Sequence, residues 1–241
     1  MADIHANREA FAACLADARD QGATHHALLG DYVGYGADPV WVVEEIMTLV
    51  SRGAAAVRGN HDHAVADRRQ TMNPDARAAL DWTRDRLAPG HRAFLESLPF
   101  RVEEEDRFYV HAGGRPPGRW GYVVDAEDAA GCLGATAARL VACGHVHIPA
   151  LYQAAGAARP VRFRPVPDAP VPLLRRRRWV VVLGSVGQPR DGDPSACYAL
   201  LDAVSAEIVY RRVPYDVAAT QAKIRAAGLP DALAQRLAEG R

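Results

Sequence analysis

The sequence has no apolar run close to the ~20 residues that a membrane-spanning helix needs. It also has no excess of either charge, because 29 lysine and arginine residues balance 29 aspartate and glutamate residues. A chain without net charge has no long-range attraction to nucleic acid or to an anionic membrane surface. We therefore expect no membrane partner, regard nucleic acid as an unfavoured partner, and look for a local binding site.

Cysteine is scarce, and the four cysteines lie far apart without a C-x-x-C pair: Cys14, Cys132, Cys143 and Cys197. This spacing indicates reduced thiols and favours a cytoplasmic protein over a disulfide-stabilised secreted one. Hydrophobic residues make up 49% of the 241 residues, enough for a sizeable core. We interpret residues 1–241 as a single α/β domain.

Helical and strand patterns alternate in the first part of the chain. Asn7 is a good residue to begin a helix, and the segment HALLGD at 26–31 has the pattern of a short buried strand. A second helix is predicted from Asp38, followed by a second strand in AAAVRGNHD. This order predicts parallel neighbouring strands. Strand patterns dominate after residue 100, and the Pro- and Arg-rich segment 153–178 is interpreted as a solvated edge or a phosphate-attracting rim.

Polar motifs recur where predicted strands end. They are D-x-H at Asp3 and His5, Gly30-Asp31, G-N-H-D at Gly59–Asp62, His111, and G-H-V-H at Gly144–His147. Asp3 lies 28 residues before Asp31, which lies 29 before Asn60, and each interval fits one strand–helix crossover. Such crossovers return the chain to the same carboxyl edge of a parallel sheet, where α/β proteins bind ligands.

These motifs, in this order, resemble the calcineurin-like metallophosphoesterase superfamily. The later stretch GSVGQPRDGDPSACYALLD at 184–202 is similar to the signature of the small prokaryotic phosphodiesterases and diadenosine tetraphosphatase-like proteins of that superfamily. The resemblance implies a four-layer α-β-β-α sandwich of two mixed sheets flanked by helices. It places a metal site at the carboxyl ends of the strands.

The resemblance also implies two divalent cations, of manganese, iron, zinc, cobalt or nickel. Asp3, His5 and His147 would bind the first cation, while Asn60, His111 and His145 would bind the second. Asp31 would bridge the two, since a carboxylate can contact both ions and offset their repulsion. Because alternate residues of an extended strand face opposite sides, the chain after Gly144 must bend to bring both histidines inward.

The chemistry implied is hydrolysis of a small phosphorylated substrate: a phosphodiester, a nucleotide or a phosphomonoester. A water held between the ions would attack phosphorus. His61 would stabilise or protonate the leaving group as general acid, and Asp62 would hold the His61 ring in orientation.

The second motif departs from that of the serine/threonine protein phosphatases, GDxVDRG, in which an arginine grips phosphate. Here it reads GDYVGYG, with Gly34 and Tyr35 in place of the aspartate and arginine, which disfavours a protein phosphatase. Tyr35, Arg115 and Arg190 are the candidate substrate contacts, although Arg190 could instead pair with Asp191 or Asp193. The alternative functions are a non-catalytic interaction module of the same fold and the disfavoured protein serine/threonine phosphatase.

Only Met1 and Ala2 precede the D-x-H motif. The resembling family has a central strand of about five to seven apolar residues there, so we expect this strand to be missing from the written chain. Without this strand, backbone groups of the neighbouring strands would be unpaired beside the site, and two metal ligands would lie on a fraying terminus. We therefore expect that an upstream segment belongs to the working protein.

Overall fold

The structure is a computed structural model that describes residues 1–113, 118–156 and 158–241. The helices are α1 Arg8–Asp20, α2 Pro39–Ser51, α3 Asn60–Ala66, α4 Pro74–Arg86, α5 Pro89–Ser97, α6 Ala126–Leu133, α7 Val217–Ala226 and α8 Asp231–Glu239. The strands are β1 Ala27–Leu28, β2 Ala55–Ala56, β3 Arg101–Glu104, β4 Arg107–Val110, β5 Leu140–Cys143, β6 Ala150–Ala154, β7 Val161–Phe163, β8 Val171–Pro172, β9 Arg178–Val182, β10 Ala196–Asp202 and β11 Glu207–Val213. No helix among these residues is long and apolar enough to span a bilayer.

One sheet is mixed, with strand order β3-β4-β5-β9-β6-β7. β4, β5 and β9 are parallel, and the remaining pairs are antiparallel. The opposing layer consists of the parallel pair β1-β2 and the antiparallel order β10-β11-β8. The predicted α/β class and mixed sheets are confirmed.

Strand β9 shows how alternation divides the core. Trp179 and Val181 pack between the two β layers, whereas Val180 and Val182 pack toward α6, because successive side chains point to opposite faces. On the other side, α1 and α2 cover β1 and β10 with an apolar cluster that includes Phe11. These successive cores give the expected layers of helices, sheet, sheet and helix.

The first three residues lie between the two parts of the opposing layer, the pair β1-β2 and the sheet β10-β11-β8. The amide of Leu29 donates to Met1 O at 2.8 Å, and the amide of Val186 donates to Ala2 O at 3.0 Å on the other side. Asp3 is held in the same way and is fully buried. The expectation that the first ligand pair sits on a fraying terminus is therefore wrong, since backbone hydrogen bonds fix it on both sides.

A cavity of about 950 Å³, lined by both apolar and polar residues, continues from Met1 between β1 and β10. Its lining includes Leu29, Val181, Leu200 and Ile208.

The segment 153–178 is a solvated edge where the structure describes it, because β7 is an exposed edge strand of the mixed sheet. It contains β7 and β8, and the run RRRR ends in the first residue of β9. Arg178 donates to the carbonyls of Thr136 and Ala138, and Arg175 donates to Ala203 and Val204. These two arginines are thus tied to the protein backbone.

Candidate metal centre

The seven predicted ligands converge at one edge of the β layers. Asp3 and His5 follow the N-terminal residues, Asp31 follows β1, and Asn60 begins α3 just after β2. His111 follows β4, and the two remaining histidines follow β5. All are buried except Asn60, which is half-buried. Short strands with polar ends therefore bring distant motifs together, as the sequence spacing predicts.

The first ligand group brings three side chains together. His5 Nε2 lies 3.1 Å from His147 Nε2, and His147 Nε2 lies 3.4 Å from Asp3 Oδ1. Two ring nitrogens and a carboxylate oxygen that converge in a buried space form a donor set suited to a divalent cation.

The second ligand group is built around His111. Its Nε2 lies 3.1 Å from Asn60 Oδ1 and 3.2 Å from His145 Nδ1. The ligand atoms of Asp31, His111 and His145 lie within 4.8 Å of one another. This group again combines nitrogen and oxygen donors around one point.

Asp31 lies between the two groups. Its Oδ2 atom is 3.8 Å from His5 Nε2 and 3.3 Å from His111 Nε2. Its Oδ1 atom accepts the amide of His61 at 2.8 Å. The carboxylate can approach this closely because Gly59 has no side chain. A Cβ at this position would lie only 2.2 Å from Oδ1.

Backbone carbonyls orient three of the histidines. The Nδ1 atoms of His5, His111 and His147 lie 3.2, 2.7 and 2.7 Å from the carbonyl oxygens of Val33, Leu29 and Gln188. An Nδ1–H that donates to such an oxygen leaves the Nε2 lone pair directed into the centre, as metal-binding histidines require. The residues present therefore fit divalent cations.

The backbone around the centre takes a conformation that is uncommon away from glycine. Asp3, His5, Asp31, His145 and His147 all have positive φ angles between 50° and 68°. Such conformations cost free energy and cluster at functional sites. The bend predicted after Gly144 is thus present, and it lets two histidines of one G-H-V-H motif serve different ligand groups.

Burial and neighbouring charges shift several pKa values in the centre. Burial would raise the pKa of Asp31, but the positive charge of its histidine neighbours, above all His111, holds that pKa well below its usual value. Burial lowers the pKa of His145 to about 3 and lowers the pKa of His5 well below its usual value. These two rings are neutral at pH 7 and offer lone pairs to a metal.

His61 lies beside the first ligand group. Its ring centroid is 4.9 Å from that of His5 and 4.6 Å from that of Tyr35. A Cβ on Gly34 would lie 2.3 Å from His61 Nδ1, so the glycine that departs from the protein phosphatase motif makes room for this ring. Burial lowers the pKa of His61 to about 4.

Asp62 does not orient His61, and this prediction is wrong. Its Oδ2 accepts the amides of Asp31 and Gly59 at 2.8 and 2.9 Å, and its Oδ1 accepts the amide of Tyr32 at 2.9 Å. No described residue forms a hydrogen bond with His61 Nδ1. As the third residue of α3, Asp62 satisfies backbone donors at the helix start.

Two of the three candidate substrate contacts meet beside the first ligand group. The Arg190 guanidinium lies 5.8 Å from the Tyr35 ring centroid and donates to Gln188 Oε1 at 2.9 Å. The alternative pairing of Arg190 with neighbouring aspartates is wrong, because Arg212 pairs with both Asp191 and Asp193. Arg115 lies outside the described residues.

Two aromatic residues that sequence reasoning missed flank the second ligand group. Tyr122 stacks on His145, with ring centroids 4.4 Å apart and an interplanar angle of 16°. Trp120 meets His111 edge-on at 5.9 Å. The segment R-W-G-Y-V lies in a loop without a recognisable motif, so its position beside the centre depends on tertiary structure.

Comparisons with known proteins agree with this geometry. The profile of the calcineurin-like phosphoesterase superfamily domain matches residues 1–206. An uncharacterized protein of Methanocaldococcus jannaschii is 33% identical over 248 residues, covering 100% of this chain and 97% of the relative.

Among solved structures, a metallophosphoesterase from Sphaerobacter thermophilus is 38% identical with a TM-score of 0.89, covering 100% of this chain and 97% of that one. A hypothetical protein from Pyrococcus horikoshii has the same coverage and a TM-score of 0.81, but its 20% identity supports the fold alone. From its fold, its clustered Asp and His side chains and these matches, the chain belongs to the calcineurin-like phosphoesterase superfamily.

Proposed function

We propose that the protein holds two divalent cations and hydrolyses a phosphate ester of a small molecule: a phosphodiester, a nucleotide or a phosphomonoester. The position of Asp31 Oδ2 carries the proposal, because it lies within 4 Å of one histidine from each ligand group. A carboxylate shared between two groups of nitrogen and oxygen donors is the arrangement that two neighbouring cations need.

Bound cations would polarise the phosphate and supply a nucleophilic water. The chain's own residues do the remaining work. Arg190 and Tyr35 lie beside the first ligand group, where a guanidinium can bind a phosphate oxygen in a geometry that favours paired hydrogen bonds.

His61 supports the leaving group. At pH 7 the unliganded ring is neutral, because burial lowers its pKa to about 4. A neutral imidazole still carries one N–H, and His61 donates this hydrogen to the leaving oxygen, so that negative charge on that oxygen is stabilised.

The test is hydrolysis of bis(p-nitrophenyl) phosphate and p-nitrophenyl phosphate by protein that has been stripped with a chelator. Reloading with Mn²⁺, Fe²⁺, Zn²⁺, Co²⁺ or Ni²⁺ should restore activity, and metal analysis should give two ions per chain. Asp31→Asn should lose both the metal and the activity, whereas Asp20→Asn on the exposed end of α1 should retain both. Undiminished hydrolysis by stripped protein would overturn the mechanism. Two bound ions without hydrolysis of any phosphate ester would identify a binding module instead.

A further inference from the structure

The ring of Tyr122 forms an aromatic surface at the edge of the metal centre. Tyr122 is 54% exposed although one face of its ring packs nearly parallel on His145. The exposure therefore belongs to the opposite face and the ring edge. Aromatic rings stack in this offset, near-parallel manner with other planar groups.

Neighbouring rings fix this part of the site. Trp120 contacts His111 and also Phe100, whose ring centroid is 5.8 Å away. Arg58 places its guanidinium 4.4 Å from the centroid of the Phe100 ring. Tyr122 thus follows, two residues along the chain, a tryptophan that is packed between other aromatic rings.

Tyr122 and His61 contact different ligand groups of the centre. His61 contacts Tyr35 and His5 of the first ligand group, whereas Tyr122 contacts His145 of the second. A phosphate positioned between the groups would direct its leaving oxygen toward His61. Its other ester substituent would then extend toward Tyr122.

We propose that the substrate is a phosphodiester whose retained ester carries a planar aromatic group, a nucleobase or an aryl ring, which stacks on the exposed face of Tyr122. This inference rests on the proposed function. Water adds to phosphorus as the bond to the leaving oxygen breaks, the leaving oxygen takes one proton, and the aromatic monoester is released. The aromatic group does not react, so its stacking determines which diester is selected.

The experiment compares diesters that share p-nitrophenolate as leaving group and differ in the retained ester. The first pair is phenyl and cyclohexyl p-nitrophenyl phosphate, whose retained groups are similar in size but differ in planarity. The second pair is thymidine 5′-(p-nitrophenyl phosphate) and methyl p-nitrophenyl phosphate, which tests the effect of a nucleobase. With manganese-loaded protein, we expect kcat/KM to be about tenfold higher for the phenyl and thymidine esters than for their partners. Stacking of one base on an aromatic side chain has this order of magnitude.

Variants separate stacking from structural support. Tyr122→Phe should keep the preference, and Tyr122→Leu should reduce it about tenfold in protein whose metal content matches that of the wild type. Equal kcat/KM for phenyl and cyclohexyl esters in the wild-type protein would overturn the inference, as would an unchanged preference in Tyr122→Leu. If Tyr122→Leu does not fold, the wild-type comparison and Tyr122→Phe decide. Failure of the metal-loaded protein to hydrolyse any of the esters would instead overturn the proposed function.

Discussion

The side chain of Asp62 binds the backbone of Asp31 rather than the ring of its neighbour His61. Its Oδ2 accepts the Asp31 amide at 2.8 Å, and the same oxygen accepts the Gly59 amide at 2.9 Å. The loop that carries the bridging carboxylate is thereby fixed to the loop that carries Asn60 and His61. Asp62 is a positioning residue that acts through the backbone.

Asp62→Asn should therefore weaken folding and metal binding together. The amide group has one acceptor oxygen instead of two, so at least one buried backbone N–H loses its partner, at a cost of about 1–3 kcal/mol. Denaturant unfolding and metal titration measure the two effects. Full stability combined with a slow reaction would show that Asp62 acts on His61 after all.

His61→Ala should lower turnover while both metal ions stay bound. The variant removes the N–H that stabilises the leaving oxygen, an effect of roughly a hundredfold. The loss should be larger for a phenyl leaving group than for p-nitrophenolate, which needs less stabilisation. His61→Gln should recover part of the activity, since its amide can donate a hydrogen bond. An empty metal centre in His61→Ala would contradict this role.

Much of the site was predictable, because the ligand motifs follow buried strands and the crossover spacing places them at one sheet edge. The orientation of single side chains was not. Nothing in the local sequence of Asp62 indicates that the amides of Asp31 and Gly59 compete for its oxygens. Likewise, the sequence does not indicate that Arg212 on β11, rather than Arg190, pairs with Asp191.

The fold shows the same limit. Strands with strong apolar runs, such as β9, were predictable, whereas β7 is exposed along its length and carries no alternating pattern. β7 is a strand because it forms antiparallel hydrogen bonds with β6, and its sequence pattern does not predict this pairing.

Arg190→Gln should raise KM for phosphate esters about tenfold with a smaller change in kcat. The guanidinium lies beside Tyr35 and the first ligand group and can contact a phosphate oxygen before and during reaction. Exposed Arg52→Gln at the end of α2 is the matched control and should leave both constants unchanged. A fall in kcat alone would show that Arg190 acts only in the transition state.

The ion pair between Asp17 and Arg211 should make stability depend on pH. Hydrogen bonds from Arg211, and a further one from Tyr198, hold the pKa of Asp17 below its usual value. A depressed folded-state pKa contributes stability that is present above the unfolded value near 4 and is lost as pH falls through the folded value. Asp17→Asn should cost about 1–2 kcal/mol at pH 7. The difference from wild type should shrink below about pH 4 in urea unfolding, and exposed Asp20→Asn should show no such trend.

The cavity between β1 and β10 lies along one edge of each strand. The Ala27 carbonyl accepts a hydrogen bond from the ammonium of Met1 at 2.8 Å. The Cys197 amide donates to Ser185 O, away from β11, and antiparallel alternation points the amides of Ala199 and Leu201 the same way, toward the cavity. Burial also lowers the pKa of the Met1 ammonium to about 6, so a charge at this position is costly.

An extended segment of five Val and Ile residues, added ahead of Met1, should therefore stabilise the protein. Each buried side chain contributes about 2 kcal/mol, against about 1–2 kcal/mol to order each backbone residue, and new ladder hydrogen bonds add to the gain. We expect a net increase of roughly 3 kcal/mol in the free energy of unfolding and tighter binding at the ligand group of Asp3 and His5, measured by urea unfolding and metal titration. An extension of equal length with two prolines lacks the donors that pair with β1 and β10 and should give little gain. Equal stability of the two extended proteins would show that the cavity does not accept a strand.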